Sequence, residues 1–256
     1  MTQEERLERL VALLEQQQRL SLEQICQLLN ISRDSARRDL LRLCENPRYQ
    51  RLRGGVRLAA HAPGILPFAQ RQAAPWKQQL AERVVSTLPQ HGWIYLDSGS
   101  TLLAVANVLA VRSHQLHIIT PALAAAQVLS QHPHLQLILL GGSFDATQGA
   151  CYGSETLLQL SQYRLDVALL GICALDDKGL TAPSAAEAQL KRQAIQQAEQ
   201  RIALGSCSKL GQHHRYQVCA LTELDALYLD QPPPASFYPQ LEAADIHLTT
   251  LEPSDA

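Results

Sequence analysis

The chain has 256 residues, and its content of 46% hydrophobic and 18% charged residues is typical of a globular soluble protein with one large domain or two. Nothing at the amino end resembles a signal peptide, and no apolar run is long enough to span a bilayer. None of the six cysteines forms a C-x-x-C pair, so there is no zinc or redox motif. We therefore expect a cytoplasmic protein with free thiols and no membrane contact.

Charge is distributed unevenly along the chain. The net charge of −2 by itself argues against nucleic acid as a partner. Residues 1–58, however, hold 11 Arg, no Lys and 8 acidic residues, whereas the other 198 residues hold 11 basic and 16 acidic ones. A basic front followed by an acidic body predicts that only the front meets phosphate.

The amino end predicts two helices and a turn. Apolar residues at i, i+3, i+4 and i+7 predict an amphipathic helix over residues 2–18; they are Leu7, Leu10, Val11 and Leu14. Ser21 begins a second helix as its N-cap, and Gln24 completes a capping box. Asn30 and Ile31 then form a tight turn before a third helix. This order predicts a helix-turn-helix.

The third helix begins at Ser32, whose hydroxyl can accept a hydrogen bond from an amide of the first turn. Ala36, Leu40 and Leu43 share one face, which predicts packing on the two helices before it. The other faces are rich in arginine, which bridges guanine acceptors or clamps phosphates in a DNA major groove. The predicted DNA contacts of this helix are Ser32, Arg33, Ser35, Arg37, Arg38 and Arg42. The alternative is a solvated surface helix.

Residues 49–58 predict a small hairpin with a Gly-Gly pair near its tip, the wing of a winged helix. The helix before it is expected to stop ahead of Pro47. Arg51, Arg53 and Arg57 alternate along the hairpin, so we expect them to share one face, and we assign Arg51 and Arg53 to DNA contact. Such a cluster adds counterion-release affinity that falls steeply with salt. The alternative is a hairpin that only caps the small domain.

Residues 1–58 resemble the amino-terminal signature of the DeoR family of bacterial transcriptional regulators. The signature begins with an Arg and apolar residues at four-residue steps, matched by Arg6, Leu10 and Leu14. It continues with Ser-x-x-Thr, an apolar residue and Arg-Arg-Asp-Leu, matched by residues 32–40 with Ser35 in place of the usual Thr. The family's Gly-Gly wing is matched by Gly54 and Gly55. The resemblance implies a DNA-binding winged helix-turn-helix domain over residues 1–58.

The rest of the chain predicts a linker and a second domain. Residues 59–74 show no periodicity, and we interpret them as a linker or as an arm lying along the second domain. From residue 75 to 256, helical and strand patterns alternate. Helices are predicted over 75–88, 102–109, 122–130, 155–162 and 185–200, and strands over 93–96, 116–119, 135–140, 166–170, 201–204, 226–229 and 246–249. This alternation predicts an α/β domain with a mostly parallel sheet covered on both faces.

Small and hydroxyl residues follow several of the predicted strands, and these positions meet at one edge of a parallel sheet. Amides at a helix start, with the hydroxyls of Ser100 and Thr101, suit an anion such as phosphate, and Lys209 adds a positive charge. Asp97 would repel phosphate, so we assign it to sugar hydroxyls or to holding the loop. The predicted effector contacts are Asp97, Ser98, Gly99, Ser100, Thr101, Thr120, Gly141, Gly142 and Lys209. The alternative is that these residues only make tight turns.

The second domain also resembles the DeoR family, whose carboxyl-terminal sensor is similar in fold to sugar-phosphate isomerases. That sensor carries Asp-x-Gly-Thr-Thr after its first strand, and residues 97–101 match it with one conservative change. Further matches are Gly141–Gly142, residues 166–171 and 179–181, Glu187 with Lys191, and residues 208–211. The pattern departs at Pro121 and Ser206, where the family has Asn and Asp. Because Glu187 and Lys191 lie at i, i+4 on a helix, they form either part of the pocket or an ordinary surface pair.

The sequence therefore indicates a DeoR-like regulator, and we expect a repressor of a carbohydrate-utilisation operon that binds double-stranded operator DNA. The resemblance implies a homo-oligomer, at least a dimer, with a phosphorylated sugar or related metabolite as the effector of the second domain. We expect no cofactor, no metal ion and no catalytic residue. One rival hypothesis is a sugar-phosphate isomerase or deaminase that uses Asp97 and Glu187 as acid and base. Another is a ligand-free interaction module.

Overall fold

The computed structural model describes residues 2–17, 19–44, 49–58, 67–71, 74–112 and 115–251. The chain divides into two compact units, Met1–Pro63 and Gly64–Ala256, and their boundary falls inside the predicted linker. Most of that linker, residues 59–66, 72 and 73, lies outside the described residues. The same holds for residues 45–48, where the third helix is expected to stop.

The described part of the first unit contains three helices and a three-stranded antiparallel sheet, as a winged helix-turn-helix requires. Its elements are α1 (Gln3–Gln17), β1 (Arg19–Ser21), α2 (Leu22–Leu29), α3 (Arg33–Leu43), β2 (Tyr49–Leu52) and β3 (Gly55–Leu58). The sheet order is β1-β3-β2. The hairpin of β2 and β3 is thus the expected wing, and β1 is an edge strand that the sequence pattern did not predict.

The predicted caps and inner faces of the helices are confirmed. The Ser32 hydroxyl accepts a hydrogen bond from the Ser35 amide at 3.2 Å, and Ser21 forms its capping box with Gln24. Ala36, Leu40 and Leu43 are buried in one apolar cluster with leucines of α1 and α2. This packing fixes which side of α3 faces solvent.

Asp39 is a charged residue on the buried side of α3, and it is fully buried. Its carboxylate accepts hydrogen bonds from Arg6 Nε at 2.7 Å, from Arg6 Nη2 at 3.1 Å and from Gln3 Nε2 at 3.1 Å. Burial acts to raise the pKa of Asp39, but these hydrogen bonds and the Arg6 charge outweigh it, and the pKa is lowered. The pair ties α1 to the arginine-bearing helix.

The expectation that three wing arginines share one face is wrong for Arg57. In the hairpin register Arg57 lies opposite Gln50, whereas Arg51 lies opposite Val56. Because adjacent residues of a strand point to opposite faces, Arg57 and Arg51 are on different faces. The tight turn between β2 and β3 inverts the alternation that a simple count along the chain assumes. Arg57 Nη2 donates instead to Gln50 Oε1 at 2.6 Å.

The second unit alternates helices and strands as predicted. Its helices are α4 (Pro75–Thr87), α5 (Ser100–Leu109), α6 (Leu123–Leu129), α7 (Ser154–Leu160), α8 (Ala185–Gln197) and α9 (Tyr238–Ala243). Its strands are β4 (His91–Leu96), β5 (Gln115–Thr120), β6 (Gln136–Leu139), β7 (Ser143–Asp145), β8 (Ala150–Tyr152), β9 (Leu165–Gly171), β10 (Ala174–Asp176), β11 (Gly179–Ala182), β12 (Ala198–Gly205), β13 (Tyr216–Cys219), β14 (Ala226–Leu229) and β15 (His247–Thr250).

Seven of these strands form one parallel sheet in the order β15-β14-β12-β9-β4-β5-β6. From β4 the chain first adds strands on one side of β4 and then crosses to β9 on its other side. The carboxyl ends of β4 and β9 are therefore the topological switch point, where open α/β sheets bind ligands. The predicted parallel sheet is confirmed.

Both faces of this sheet are covered. Even-numbered residues of β4, such as Ile94 and Leu96, face a core built with α4, α5 and α6. Tyr95 faces the other core, which contains side chains of α7, α8 and a small sheet of β10, β11 and β13. Because side chains alternate along a strand, the odd-numbered positions at the end of β4 point toward α8.

The sequence-based prediction differs from the structure at several places in the second unit, one of which is the unpredicted helix α9. Ala198–Gln200 were expected at the end of a helix, but they begin β12 and pair with β9. Parallel pairing over the full length of β9 overrides the helical propensity of this polar stretch. The hairpin of β7 and β8 and the small sheet were also not predicted, because their strands are only three or four residues long.

Asn in place of Asp39 should lower the free energy of unfolding by about 1–3 kcal/mol, because it removes charged hydrogen bonds from a buried position. Chemical denaturation of Asp39→Asn measures this. The matched control is Asp34→Asn in the same helix, since the Asp34 side chain is 84% exposed and lies 3.6 Å from Arg37. Equal stability of the two variants would contradict the buried role of Asp39.

The same pair predicts a pH dependence. The lowered pKa of Asp39 contributes stability above its unfolded pKa, and this contribution disappears as the pH falls through the folded value. The stability gap between wild type and Asp39→Asn should therefore be constant near pH 7 and narrow under acid conditions. A stability gap that widens as the pH falls would contradict a lowered pKa of Asp39 in the folded protein.

Candidate functional site

The arginines predicted to contact DNA lie at the surface of the first unit. Those of α3 and the wing, Arg33, Arg37, Arg38, Arg42, Arg51 and Arg53, are all exposed, Ser32 is exposed, and Ser35 is half-buried. Three of the arginines make weak surface contacts: Arg33 with Glu23, Arg37 with Asp34, and Arg42 with Gln3. Exposed pairs of this kind contribute little to stability, so these side chains can exchange their partners for phosphates.

The sheet of the first unit adds an arginine that the sequence analysis did not assign. Arg19 of β1 lies directly opposite Arg57 of β3, and Gln50 of β2 lies on the other side of Arg57. The three residues form one row across the sheet, and both arginines are exposed. Pairing of β1 with the wing creates this row, and no local pattern around Arg19 indicates it.

At the switch point of the second unit, Asp97 joins three elements. It directly follows β4, and its Oδ2 accepts a hydrogen bond from the Gly171 amide at the end of β9 at 2.9 Å. The same oxygen forms an ion pair with Lys191 of α8, and both side chains are 1% exposed. Asp97 therefore holds the loop, which is one of the two roles expected for it.

The ammonium group of Lys191 is buried inside this cluster. Besides Asp97, Nζ donates to the Gly171 carbonyl at 3.0 Å and lies 3.5 Å from Glu187 Oε1. Burial acts to lower the pKa of Lys191, but Asp97 and the other neighbouring acidic groups outweigh it and raise the pKa well above its usual value. The lysine is thus held in its charged form.

Glu187 and Lys191 are not a surface pair, because both are buried at the edge of the sheet. The Cys173 thiol donates to Glu187 Oε1 at 3.0 Å. Burial, together with the nearby Glu187 charge, raises the pKa of Cys173, so this thiol stays protonated and acts as a donor. Oε2 of Glu187 is buried and has no hydrogen-bond partner among the described residues.

Two tyrosines complete the inner wall of the site. The Tyr95 hydroxyl donates to Asp97 Oδ1 at 3.4 Å, and Tyr152 of β8 lies 3.0 Å from the Ser98 hydroxyl. Burial and nearby carboxylates raise the pKa of both tyrosines, so both hydroxyls stay neutral. The hairpin that the sequence did not predict thus contributes a polar side chain to the site.

Two cationic side chains that the sequence analysis did not assign lie next to the turn that begins α5. Lys77 Nζ donates to the Ser100 hydroxyl at 3.0 Å. Arg71 Nη1 lies 3.7 Å from the position that a Cβ on Gly99 would occupy, and Gly99 has a φ of +114°. Burial, together with the nearby Arg71 charge, lowers the pKa of Lys77. The turn Gly99–Ser100 is therefore surrounded by positive charge and by the free amides of a helix start.

Arg71 belongs to a short arm, residues 67–71, that lies on the hairpin of β7 and β8. The Phe68 amide donates to the Thr147 carbonyl at 2.7 Å, and Arg71 Nη2 donates to Gln148 Oε1 at 2.6 Å. A Cβ on Gly149 would lie 3.1 Å from the Phe68 ring. Of the two interpretations of this stretch, the described residues fit the arm.

Other residues predicted to bind effector have structural contacts of their own. The Thr120 hydroxyl accepts from the Ala122 amide at 3.1 Å, and Gly141 bonds Thr156 and Gln159 of the α7 region. Gly142 has a φ of +134°, and a Cβ there would lie 2.2 Å from Thr156 Oγ1. Lys209 is half-buried on a 3-10 turn after β12, and Thr101 is half-buried in the first turn of α5.

The chemistry of the site suits binding. Among the described residues, no three His, Cys, Asp or Glu side chains are grouped to hold a metal ion, and no cysteine forms a disulfide. No helix in the described part of the chain is long and apolar enough to span a membrane. In place of a metal site, the structure has buried carboxylates next to a helix start that is bordered by cationic side chains.

A winged helix-turn-helix with an arginine-rich surface, joined to an α/β unit with a buried polar site, defines a DNA-binding transcriptional regulator with a sensor domain. Comparison with known families gives the same result: residues 6–62 match the DeoR-like helix-turn-helix domain, and residues 72–231 match the DeoR C terminal sensor domain. The chain belongs to the DeoR family of transcriptional regulators.

Relatives that align with nearly the full length of the chain are also transcriptional regulators. The chain is 35% identical over 254 residues to the HTH-type transcriptional repressor GlcR of Bacillus subtilis (strain 168), covering 98% of both chains. It is 31% identical over 239 residues to the Glycerol-3-phosphate regulon repressor of Escherichia coli (strain K12), covering 92% of this chain and 94% of the relative. These matches are to regulators and do not support the isomerase alternative.

Similarity to solved structures is distant. Ribose 5-phosphate isomerase A from Methanocaldococcus jannaschii shares 18% sequence identity, with a TM-score of 0.39 and coverage of 53% of each chain. At this distance the similarity gives no basis for assigning an activity.

Met in place of Lys191 should lower the free energy of unfolding by about 3–5 kcal/mol, because it leaves two carboxylates buried without their cation. Denaturant unfolding of Lys191→Met measures the effect, and Lys209→Met is the control at a half-buried lysine. Adding Asp97→Asn to Lys191→Met should recover part of the loss. Similar stabilities of the two single variants would contradict the charge network.

Proposed function

We propose that the protein represses a carbohydrate-utilisation operon in the cytoplasm, where it binds double-stranded operator DNA as a homo-oligomer, at least a dimer. A phosphorylated sugar or related metabolite bound by residues 64–256 controls this binding. In this proposal the DNA contacts are those predicted from α3 and the wing. The names of the B. subtilis and E. coli relatives, both repressors, support repression over activation.

The observation that carries the DNA-binding part is the orientation of α3. Its apolar face and Asp39 are buried, whereas Arg37 and Arg38 are exposed. A helix held by one face with arginines on the other can enter a major groove and contact phosphates and guanine edges. Symmetric half-sites in operators require paired recognition helices, which supports an oligomer.

The double variant Arg37→Ala/Arg38→Ala should lose at least about 30-fold in operator affinity, because each of the two contacts contributes about 1–3 kcal/mol and about 1.4 kcal/mol is tenfold. Gel-shift titration on the DNA upstream of its own gene measures this, at two or more salt concentrations. The slope of log affinity against log salt should also become shallower by about 1 for each phosphate that the variant no longer neutralises.

Arg83→Ala is the matched control, because Arg83 is an exposed arginine on α4 of the second unit. It should bind operator DNA like the wild type. If the double variant and the control bind equally, or the wild type binds no DNA at low salt, the assignment of α3 to the DNA surface is wrong.

The observation that carries the effector part is the convergence of Arg71 and Lys77 on the Gly99–Ser100 turn. Two cations that lie close together at a helix start gain free energy from an anion placed between them. The buried carboxylate of Glu187 lies beside Asp97 and Lys191, and its Oε2, which has no partner among the described residues, suits a hydroxyl group of a sugar. A phosphorylated sugar combines both kinds of group.

Arg71→Ala and Lys77→Ala should each weaken the binding of a phosphorylated effector by about 10-fold or more, because each removes a charged hydrogen bond. A screen of sugar phosphates by melting temperature identifies the effector, since a ligand that prefers the native state raises it. Lys178→Ala, at the exposed turn between β10 and β11, is the control. Equal shifts in the Lys77 and Lys178 variants would count against a phosphate at this turn.

A further inference from the structure

At the buried end of the effector site, the ammonium group of Lys191 faces acceptors of the protein. This group carries three N–H bonds. The structure gives it three acceptors: Asp97 Oδ2, the Gly171 carbonyl at 3.0 Å and Glu187 Oε1 at 3.5 Å. All three acceptors belong to the protein and Lys191 is only 1% exposed, so a ligand gains little from this ammonium group.

One acceptor, in contrast, is unused at the same place. Glu187 is only 2% exposed, and its Oε1 already receives the Cys173 thiol and the Lys191 ammonium. Its other oxygen, Oε2, is buried and has no partner among the described residues. A buried polar atom without a hydrogen bond is costly, and native proteins pair such atoms with a ligand or with water.

We infer that this end of the site selects effectors whose end away from the phosphate carries hydroxyl groups, and that it rejects effectors with a carboxylate there. The inference rests on the proposed phosphorylated effector and deepens it. A hydroxyl donates to Glu187 Oε2, whereas a carboxylate offers only acceptors. Sugar and polyol phosphates fit this end, and phosphorylated sugar acids do not.

Charge acts in the same direction as hydrogen bonding. The buried cluster holds two carboxylates, Asp97 and Glu187, and one ammonium group, Lys191. A ligand carboxylate would be a third negative group beside a single cation, and like charges repel strongly where water is excluded. The phosphate end meets the opposite situation, since Arg71 and Lys77 lie there.

The two ends are close enough for one small molecule. Asp97 and Ser100 are three residues apart in one loop, so their Cα atoms are at most about 10 Å apart. A short phosphorylated sugar or polyol covers such a span. The anion-binding turn and the buried end can therefore read opposite ends of the same effector.

The test uses the full-length protein and pairs of phosphorylated compounds with the same number of carbon atoms, in which the end away from the phosphate is neutral in one compound and a carboxylate in the other. The pairs are glucose 6-phosphate with 6-phosphogluconate, ribose 5-phosphate with 5-phosphoribonate, and glycerol 3-phosphate with 3-phosphoglycerate. Isothermal titration gives the affinity of each. In every pair that binds, we expect the neutral-ended compound to bind at least about 10-fold more tightly. An acid that binds as tightly as its partner, or more tightly, overturns the inference.

The variant Glu187→Gln assigns the selectivity to one residue. Its amide places a donor in the site, so the preference for the neutral end should fall to within about 3-fold. Glu155→Gln, at an exposed position of α7, should keep the wild-type preference. If Glu187→Gln folds and also keeps that preference, then Oε2 serves only a buried water and the inference is overturned.

Phosphate-free compounds separate this inference from the proposed function. Glucose and gluconate, or glycerol and glycerate, lack the phosphate but keep the end in question. If these compounds bind as tightly as their phosphorylated counterparts, the proposal of a phosphorylated effector is wrong. The ratio of affinities between the neutral compound and the acid of each pair then still tests the inference. If none of the compounds in either set binds, both the effector class and the inference fail.

Discussion

The ion pair between Asp97 and Lys191 is the interaction on which the sensor unit depends. The pair joins the end of β4 to α8, and hydrogen bonds of both side chains with Gly171 also hold the end of β9. It therefore connects three elements at the point where the strand order reverses. Both charges are buried, and a buried pair is favourable only when its remaining hydrogen-bond capacity is used. Tyr95, Glu187 and the Gly171 backbone supply that capacity. The polar residues gathered at this point of the sheet therefore include the partners that these buried charges require.

This constraint explains why the site has two unlike ends. The cluster around Asp97 and Glu187 is acidic and buried, whereas the turn at Gly99 is bordered by Lys77 and Arg71. Arg71 comes from the arm at residues 67–71, which also contacts the hairpin of β7 and β8. The arm precedes α4 in the chain and follows the DNA-binding unit. The segment that leads from that unit to the sensor thus contributes directly to the border of the proposed effector site.

The first unit uses a buried charge in a comparable way. Asp39 lies on the packed side of α3, and Arg6 and Gln3 of α1 satisfy its carboxylate. The apolar residues Ala36 and Leu40 set which face is buried, and the directional hydrogen bonds to Asp39 restrict the helix to one rotation and register. The arginines of α3 face solvent as a consequence of this packing.

Periodicity and cap residues in the sequence determined the elements themselves. The helix beginning at Ser32, the hairpin at residues 49–58, the strands β4 and β9 and the parallel sheet all follow from local patterns, because caps, turns and apolar spacing act over a few residues. Family motifs also pointed to Asp97, Glu187 and Lys191. Tertiary structure alone decided that these three are buried together, that Arg19 lies opposite Arg57, and that Arg71 and Lys77 reach the Gly99 turn. Each of these depends on strand register or on contacts between residues far apart in the chain. No local pattern carries that information, since such contacts form only when the whole sheet and its covering helices are in place.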